Sequence, residues 1–159
     1  MRQLILLRHG EAQTAPPGGS DWERPLTAQG RTEVQDAAQA IAQAHLDIER
    51  VLVSTARRSL ETAGIIIERL RIAKAAEQLE ALYLAAPMGL LQALTRCSAG
   101  CRTVMVIGHN PGLSELACRL TAGEQPFSLR TAGICLLSFA SEGWRDLAAD
   151  IAASSKVLR

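Results

Sequence analysis

Three short stretches hold the residues whose types and spacing could do chemistry: Arg8-His9-Gly10-Glu11, Ser54-Thr55-Ala56-Arg57-Arg58 and Gly108-His109-Asn110. Two arginines can hold the equatorial oxygens of a transferring phosphoryl group, a reaction in which positioning and charge stabilisation are most of the task. A neutral imidazole can attack phosphorus directly, provided its other nitrogen carries the proton and is held by an acceptor. His9 is the candidate for that nucleophile, and His109 is a second group placed to face a ligand. His45 falls near a helix end and reads as structural. The three histidines lack zinc spacing such as two histidines one helical turn apart. Two arginines in one site would also repel a cation. No metal or cofactor is expected, and a metal hydrolase built from His9, His109 and a carboxylate is the weaker alternative.

Each stretch must be delivered by an element. Leu4-Ile5-Leu6-Leu7, Val51-Leu52-Val53 and Thr103-Val104-Met105-Val106-Ile107 are continuous apolar runs, the mark of strands buried on both faces of a parallel sheet. All three end in polar or cationic residues, and in such sheets ligands sit beyond the carboxyl ends of the strands. Right-handed crossovers would bring the three ends to one edge. Thr27 reads as the N-cap of a helix with an apolar face of Val34, Ala37, Ala38, Ile41 and Ala42. A second helix follows Ser54 through Ile65, Ile66, Ile67 and Leu70. There an anion would meet free backbone N–H groups and an arginine fork. The plainer reading is that Ser54 or Thr55 only caps the helix, with Arg57 and Arg58 solvated.

Pro87 opens a third helix, and Pro111 suits the first turn of a fourth containing Leu113, Leu116, Ala117 and Leu120. A short strand is expected near Ala76 to Leu79, followed by a loop with Glu80 and Tyr83. Ile134 to Phe139 is a last apolar strand, and Trp144 to Ile151 is read as an edge strand. Ala12 to Pro25, with Pro16-Pro17-Gly18-Gly19-Ser20-Asp21, is a loop leaving the site, either a solvated connection or a flap over a ligand. The expected architecture is α/β, with a mostly parallel central sheet, helices on both faces and an antiparallel edge strand. Residues 1–159 should form one domain.

Composition narrows the class of partner. The net charge is +1 and no long Lys/Arg cluster occurs, so a nucleic-acid footprint is not expected. The first apolar run is too short for a signal peptide, and no stretch has the length of a membrane span. A cytoplasmic protein follows as the expectation. Cys118 and Cys135 read as core thiols, while Cys97 and Cys101 could pair only under oxidation.

Taken together, Arg8-His9-Gly10-Glu11, the Ser54 to Ala63 segment, Gly108-His109-Asn110 and Arg24-Pro25-Leu26-Thr27-Ala28-Gln29-Gly30 resemble the motifs of the histidine phosphatase superfamily. This is the phosphoglycerate mutase-like, Arg-His-Gly family, and the short chain is closest to its SixA-type branch of protein phosphohistidine phosphatases. The resemblance implies a phosphoglycerate mutase-like three-layer sandwich. It implies that His9 forms a phosphohistidine intermediate, that Arg8 and Arg58 bind the phosphoryl oxygens, and that His109 donates a further hydrogen bond. Arg58 rather than Arg57 falls at the family arginine's place, with Arg57 as an understudy. Thr55 stands where the family often has proline.

Larger members of the family protonate an alkoxide leaving group with an acidic residue. Glu80 lies one place before the usual position, occupied here by Ala81, and a solvated glutamate is its plainer reading. Glu11 is read as loop support, with proton transfer as the alternative. An imidazole can leave neutral where an alkoxide needs a proton supplied, so the pattern leans toward phosphohistidine on a protein. The partner implied is a histidine phosphotransfer or phosphocarrier protein. A small phosphate ester is the alternative substrate, and a phosphate-binding module without turnover is the alternative class. The sequence carries no indication of oligomeric state.

Overall fold

The computed structural model describes residues 1–121, 128–148 and 152–158. Its strands are β1 (Arg2–Arg8), β2 (Arg50–Ser54), β3 (Glu77–Leu79), β4 (Thr103–Gly108), β5 (Ile134–Phe139) and β6 (Ser154–Val157). Among the described residues these form one sheet, in the order β3-β2-β4-β1-β5-β6. The helices are α1 (Ala28–Gln43), α2 (Arg57–Leu70), α3 (Pro87–Cys97) and α4 (Gly112–Leu120). None of these is long and apolar enough to cross a membrane.

The apolar runs are continuous because each strand feeds two cores. Side chains alternate across a strand. Leu4 and Leu6 therefore pack in a core with Leu90 and Leu94 of α3 and Leu113 and Leu116 of α4. Ile5 and Leu7 pack on the opposite face with Val34 and Ile41 of α1 and Ala63 and Ile66 of α2. In β4, Val104 and Val106 belong to the first core, and Met105 and Ile107 to the second. A strand sandwiched in this way has no face for a polar residue, so charge is confined to its ends.

Strands β1 and β2 both pair in parallel with β4, and β3 pairs in parallel with β2. The register matters most. Arg8 lies opposite Gly108, and Val53 lies opposite Ile107, so the three strand ends are level. Strand β5 runs antiparallel to β1, and β6 at the edge runs antiparallel to β5.

The antiparallel edge strand is thus present, but it is β6 and not Trp144 to Ile151. Trp144–Ala148 forms a 3-10 turn, and residues 149–151 lie outside the described ones. The reason is the spacing of two core residues. Trp144 and Leu147 are both buried in the α3/α4 core, and three residues apart they share a face only in a helical turn. The Trp144 indole N–H also donates to the Cys101 carbonyl at 2.7 Å.

Thr27 caps α1, its hydroxyl accepting from the Gly30 N–H at 2.8 Å. The helix buries Val34, Ala37, Ala38 and Ile41, but Ala42 is exposed. Neither Ser54 nor Thr55 caps α2; Ala56 holds that position without a side-chain acceptor. Pro87 lies in the first turn of α3 as expected, whereas Pro111 is the residue before α4. His45 is exposed, just past the end of α1. Cys101 and Cys135 are buried free thiols and Cys118 is half-buried and free. The side chain of Cys97, and with it the Cys97–Cys101 pair, lies outside the described groups.

Candidate active site

His9 emerges from β1 with its backbone held on both sides. Its N–H donates to the Gly108 carbonyl at 3.1 Å, and its carbonyl accepts from the Ala132 N–H at 3.0 Å. The next residue turns the chain against the start of α1. A Cβ on Gly10 would stand 2.6 Å from the Gly30 carbonyl oxygen, so only glycine allows this approach. The Gly10 N–H donates to Thr62 Oγ1 of α2 at 3.2 Å, which joins the turn to a second helix.

The tautomer of His9 follows from its partner. His9 Nδ1 lies 2.7 Å from the Gly10 carbonyl, and a carbonyl can only accept, so Nδ1 carries the proton. In the neutral ring Nε2 then holds the lone pair. Burial, reinforced by the charges of Arg58, Arg8 and Arg24, outweighs the Gly10 hydrogen bond and lowers His9 to about 4. The imidazole is therefore neutral at ordinary pH.

Arg58 lies in the first turn of α2 and is 2% exposed. Its Nε donates to His9 Nε2 at 3.2 Å, and its Nη2 donates to His109 Nδ1 at 3.3 Å. Adjacent helix positions point about 100° apart, and this separates the two arginines. Arg58 shares its face with buried Thr62, whereas the Arg57 side chain is 58% exposed and bonds Glu61 at 2.9 Å one turn on. Arg57 is not brought to the site.

His109 follows β4, buried, with its ring centroid 5.2 Å from that of His9. Its Nε2 lies 2.7 Å from Ser54 Oγ at the end of β2. Because Arg58 donates to Nδ1, Nε2 carries the proton here and Ser54 accepts. Burial, then the neighbouring His9 and Arg58, lowers His109 to about 3. Arg8 extends its Nη1 to the Leu129 carbonyl at 2.8 Å. Its Nε is buried without an acceptor among the described residues, an arrangement that an anion's oxygen would relieve.

The remaining sequence candidates stand outside this cluster. Glu11 is exposed and accepts from the Thr27 hydroxyl at 2.7 Å, bracing the start of α1. Glu80 is exposed on a 3-10 turn at Glu80–Leu82, and the group that turn sends to the site is Tyr83. The Tyr83 ring meets the His109 ring edge-on at 5.6 Å and packs on Trp22 at 4.7 Å. Among the described residues no group of three His, Cys, Asp or Glu side chains could hold a metal ion.

Sequence reading missed Asp21, Tyr83 and the pairing of Ser54 with His109. Asp21 belongs to a 3-10 turn at Asp21–Glu23, closed by a capping box in which Glu23 accepts from the Ser20 N–H at 2.9 Å. The Ser-Asp-x-Glu spacing is a capping signal that marks a structured segment inside the Pro/Gly loop. Asp21 Oδ2 accepts from Arg58 Nη2 at 2.9 Å and from the Tyr83 hydroxyl at 2.7 Å, so this loop covers the site. Chemically, the cluster joins a neutral nucleophilic nitrogen to guanidinium donors, a combination suited to accepting a phosphoryl group.

Residues 4–83 match the model of the histidine phosphatase superfamily (branch 1). The phosphohistidine phosphatase SixA of Escherichia coli strain K12 is 34% identical over 145 residues, which cover 89% of this chain and 88% of that one. A structure of the protein histidine phosphatase SixA complexed with tungstate aligns at TM-score 0.74 and 30% identity, over 98% of this chain and 93% of the other. A Nakamurella multipartitia structure that also carries the SixA name aligns at TM-score 0.79 and 26% identity, over 98% and 95%.

Proposed function

The chain belongs to the histidine phosphatase superfamily, and on that premise we propose that it hydrolyses phosphohistidine on a protein through a phosphoryl intermediate on His9. The observation that carries this reading is the bond from His9 Nδ1–H to the Gly10 carbonyl, which leaves Nε2 as the nucleophilic nitrogen. In the first step Nε2 attacks phosphorus in line, and the bond to the substrate's ring nitrogen breaks. In the second, water attacks phosphorus, the P–Nε2 bond breaks with its electron pair returning to the His9 ring, and one water proton stays on the phosphate formed while the other passes to solvent. Two inversions give net retention.

Arg58 Nε, which donates to His9 Nε2 in the free site, passes its hydrogen bond to a phosphoryl oxygen when the group arrives. The buried Nε of Arg8 supplies a second donor, and His109, at the end of the neighbouring strand β4, a third once Ser54 donates to its Nε2 and the ring proton stands on Nδ1. The two arginines are held in place before substrate binds, so little reorganisation of these donors is needed when charge moves onto the equatorial oxygens.

The leaving group decides the substrate class. An alkoxide needs a proton as it departs, whereas a protonated phosphohistidine ring leaves as neutral imidazole. The exposed Glu80 side chain bonds to no described group, and Glu11 is engaged with Thr27. Neither is held as an acid beside His9. The relatives named as phosphohistidine phosphatases support the same class. The partner we infer is a cytoplasmic phosphoprotein of the histidine phosphotransfer or phosphocarrier type, acted on by one catalytic domain spanning residues 1–159.

The test is a rapid quench, without acid, of the protein mixed with a phosphohistidine-bearing protein, followed by mass spectrometry of the peptide containing His9. The expected result is a transient phosphoryl adduct on that peptide, absent in His9→Ala. Phosphate release without an adduct, or undiminished release by His9→Ala, would refute the mechanism.

A further inference from the structure

Asp21 has no part in the steps above, yet the site is built around it. Its Oδ1 accepts from Arg24 Nη1 at 2.9 Å, and its Oδ2 from Arg58 Nη2 at 2.9 Å and Tyr83 at 2.7 Å. Its backbone carbonyl accepts from Arg58 Nη1 at 2.7 Å. The two ends of this network differ in exposure. The Arg58 side chain is 3% exposed and the Asp21 side chain 44%. One guanidinium therefore links the buried His9 Nε2 to a carboxylate at the surface. Hydrogen bonds from Arg24 first, then from Tyr83 and Arg58, hold that carboxyl far below the usual carboxylate range.

Orienting Arg58 is a role the backbone carbonyl of Asp21 and the two imidazoles already fill. The carboxylate adds a fixed negative charge at the exposed end of the network that begins at His9 Nε2. Each carboxylate oxygen can accept two hydrogen bonds, and among the described residues Oδ1 has one partner, Arg24. In-line transfer puts the leaving group opposite His9 Nε2, on the outward side. Trp22 and Tyr83 pack as a ring pair beside the carboxylate, to which the Tyr83 hydroxyl donates, and form a surface suited to a flat aromatic leaving group.

We infer that Asp21 selects the leaving group, its outward carboxylate accepting the N–H of a departing imidazolium ring and disfavouring leaving groups that carry no such proton. The inference rests on the phosphohistidine reading above. The protonated substrate ring carries phosphorus on one nitrogen and hydrogen on the other. As the His9 Nε2–P bond forms, the bond between phosphorus and the ring breaks and its electron pair returns to the ring nitrogen. The ring leaves as neutral imidazole, still bearing its proton at Asp21. An alkyl ester has no N–H to offer and would need a proton that an ionised carboxylate does not hold. A phenolate would depart as an anion beside a like charge.

The test compares wild type with Asp21→Asn on a phosphohistidine peptide and on p-nitrophenyl phosphate, whose phenolate leaves without a proton. Losing a charged hydrogen bond should lower kcat/KM on the peptide about 10- to 100-fold. Turnover of the aryl phosphate should persist or rise, which also shows that the variant is folded. Equal losses on both substrates would overturn the inference and leave Asp21 as a positioning residue for Arg58. A wild-type protein that cleaves the aryl ester but not the peptide would instead remove the phosphohistidine reading, and the inference with it.

Discussion

His9 and His109 leave neighbouring parallel strands at the same level, yet their partners differ in kind. Behind His9 stands a backbone carbonyl, which only accepts. Behind His109 stands the hydroxyl of Ser54, which can accept or donate. The first arrangement locks one tautomer and leaves a single reactive nitrogen. The second allows reversal: His109 Nδ1 now accepts from Arg58, but if Ser54 donates to Nε2, Nδ1 acquires a proton to give to a phosphoryl oxygen. One residue type at one sheet edge is thus divided into a fixed nucleophile and an adaptable ligand by what stands behind each ring.

Substitutions should separate the two histidines. His9→Gln keeps hydrogen-bonding capacity but has no nucleophilic nitrogen, so phosphohistidine hydrolysis should fall by at least about 10³-fold. A loss below tenfold would erase the distinction. His109→Gln removes one contact to the phosphoryl oxygens and should cost about 10²-fold in kcat, with the His9 adduct still forming. Failure to form any adduct would mean that His109 is needed to hold His9 ready.

Ser54→Ala removes the hydroxyl that reverses, and should lower kcat about tenfold, the low end for losing a group that orients a ligand-facing histidine. Unchanged kcat would show that the reversal is not used. The smallest effect is on stability. Between about pH 4 and the ordinary histidine value of 6.5, the unfolded chain binds a proton at His9 that the folded chain excludes. Stability should therefore rise with pH through that window and level off above it. His109 adds a contribution of the same sign from about 3. Thermal unfolding of His9→Gln across these pH values should show a shallower rise; an unchanged slope would place the titration elsewhere.

Much of this contrast could be read from the chain itself. Continuous apolar runs ending in Arg-His and Gly-His require doubly covered strands, and parallel pairing does the rest. Arg58 could be separated from Arg57 by resemblance, and the reason is visible only in the helix: Thr62 fixes which face is buried. Asp21 was hidden because its loop has no periodicity, and its contacts reach Arg58 and Tyr83, 37 and 62 residues away. The 3-10 turn at Trp144 escapes a sequence reading because nothing local shows that Trp144 and Leu147 enter the same core, the fact that excludes a strand. Local pattern carries the elements, while the long-range closure of the site carries its selectivity.

The contact of Gly10 with Gly30 has a consequence for how the protein opens. The Gly10 turn lies against the Gly30 carbonyl, and the Glu11 carbonyl accepts from the Thr27 N–H at 2.9 Å just ahead of α1. No side-chain rotation can loosen backbone packed on backbone. The amides of Gly10 and Thr27 should therefore exchange with solvent deuterium together, as one cooperative unit with the first turn of α1. The reactive histidine would then be as durable as the helix beside it, and excursions of the outer loop around Pro16 and Gly19 would leave it undisturbed.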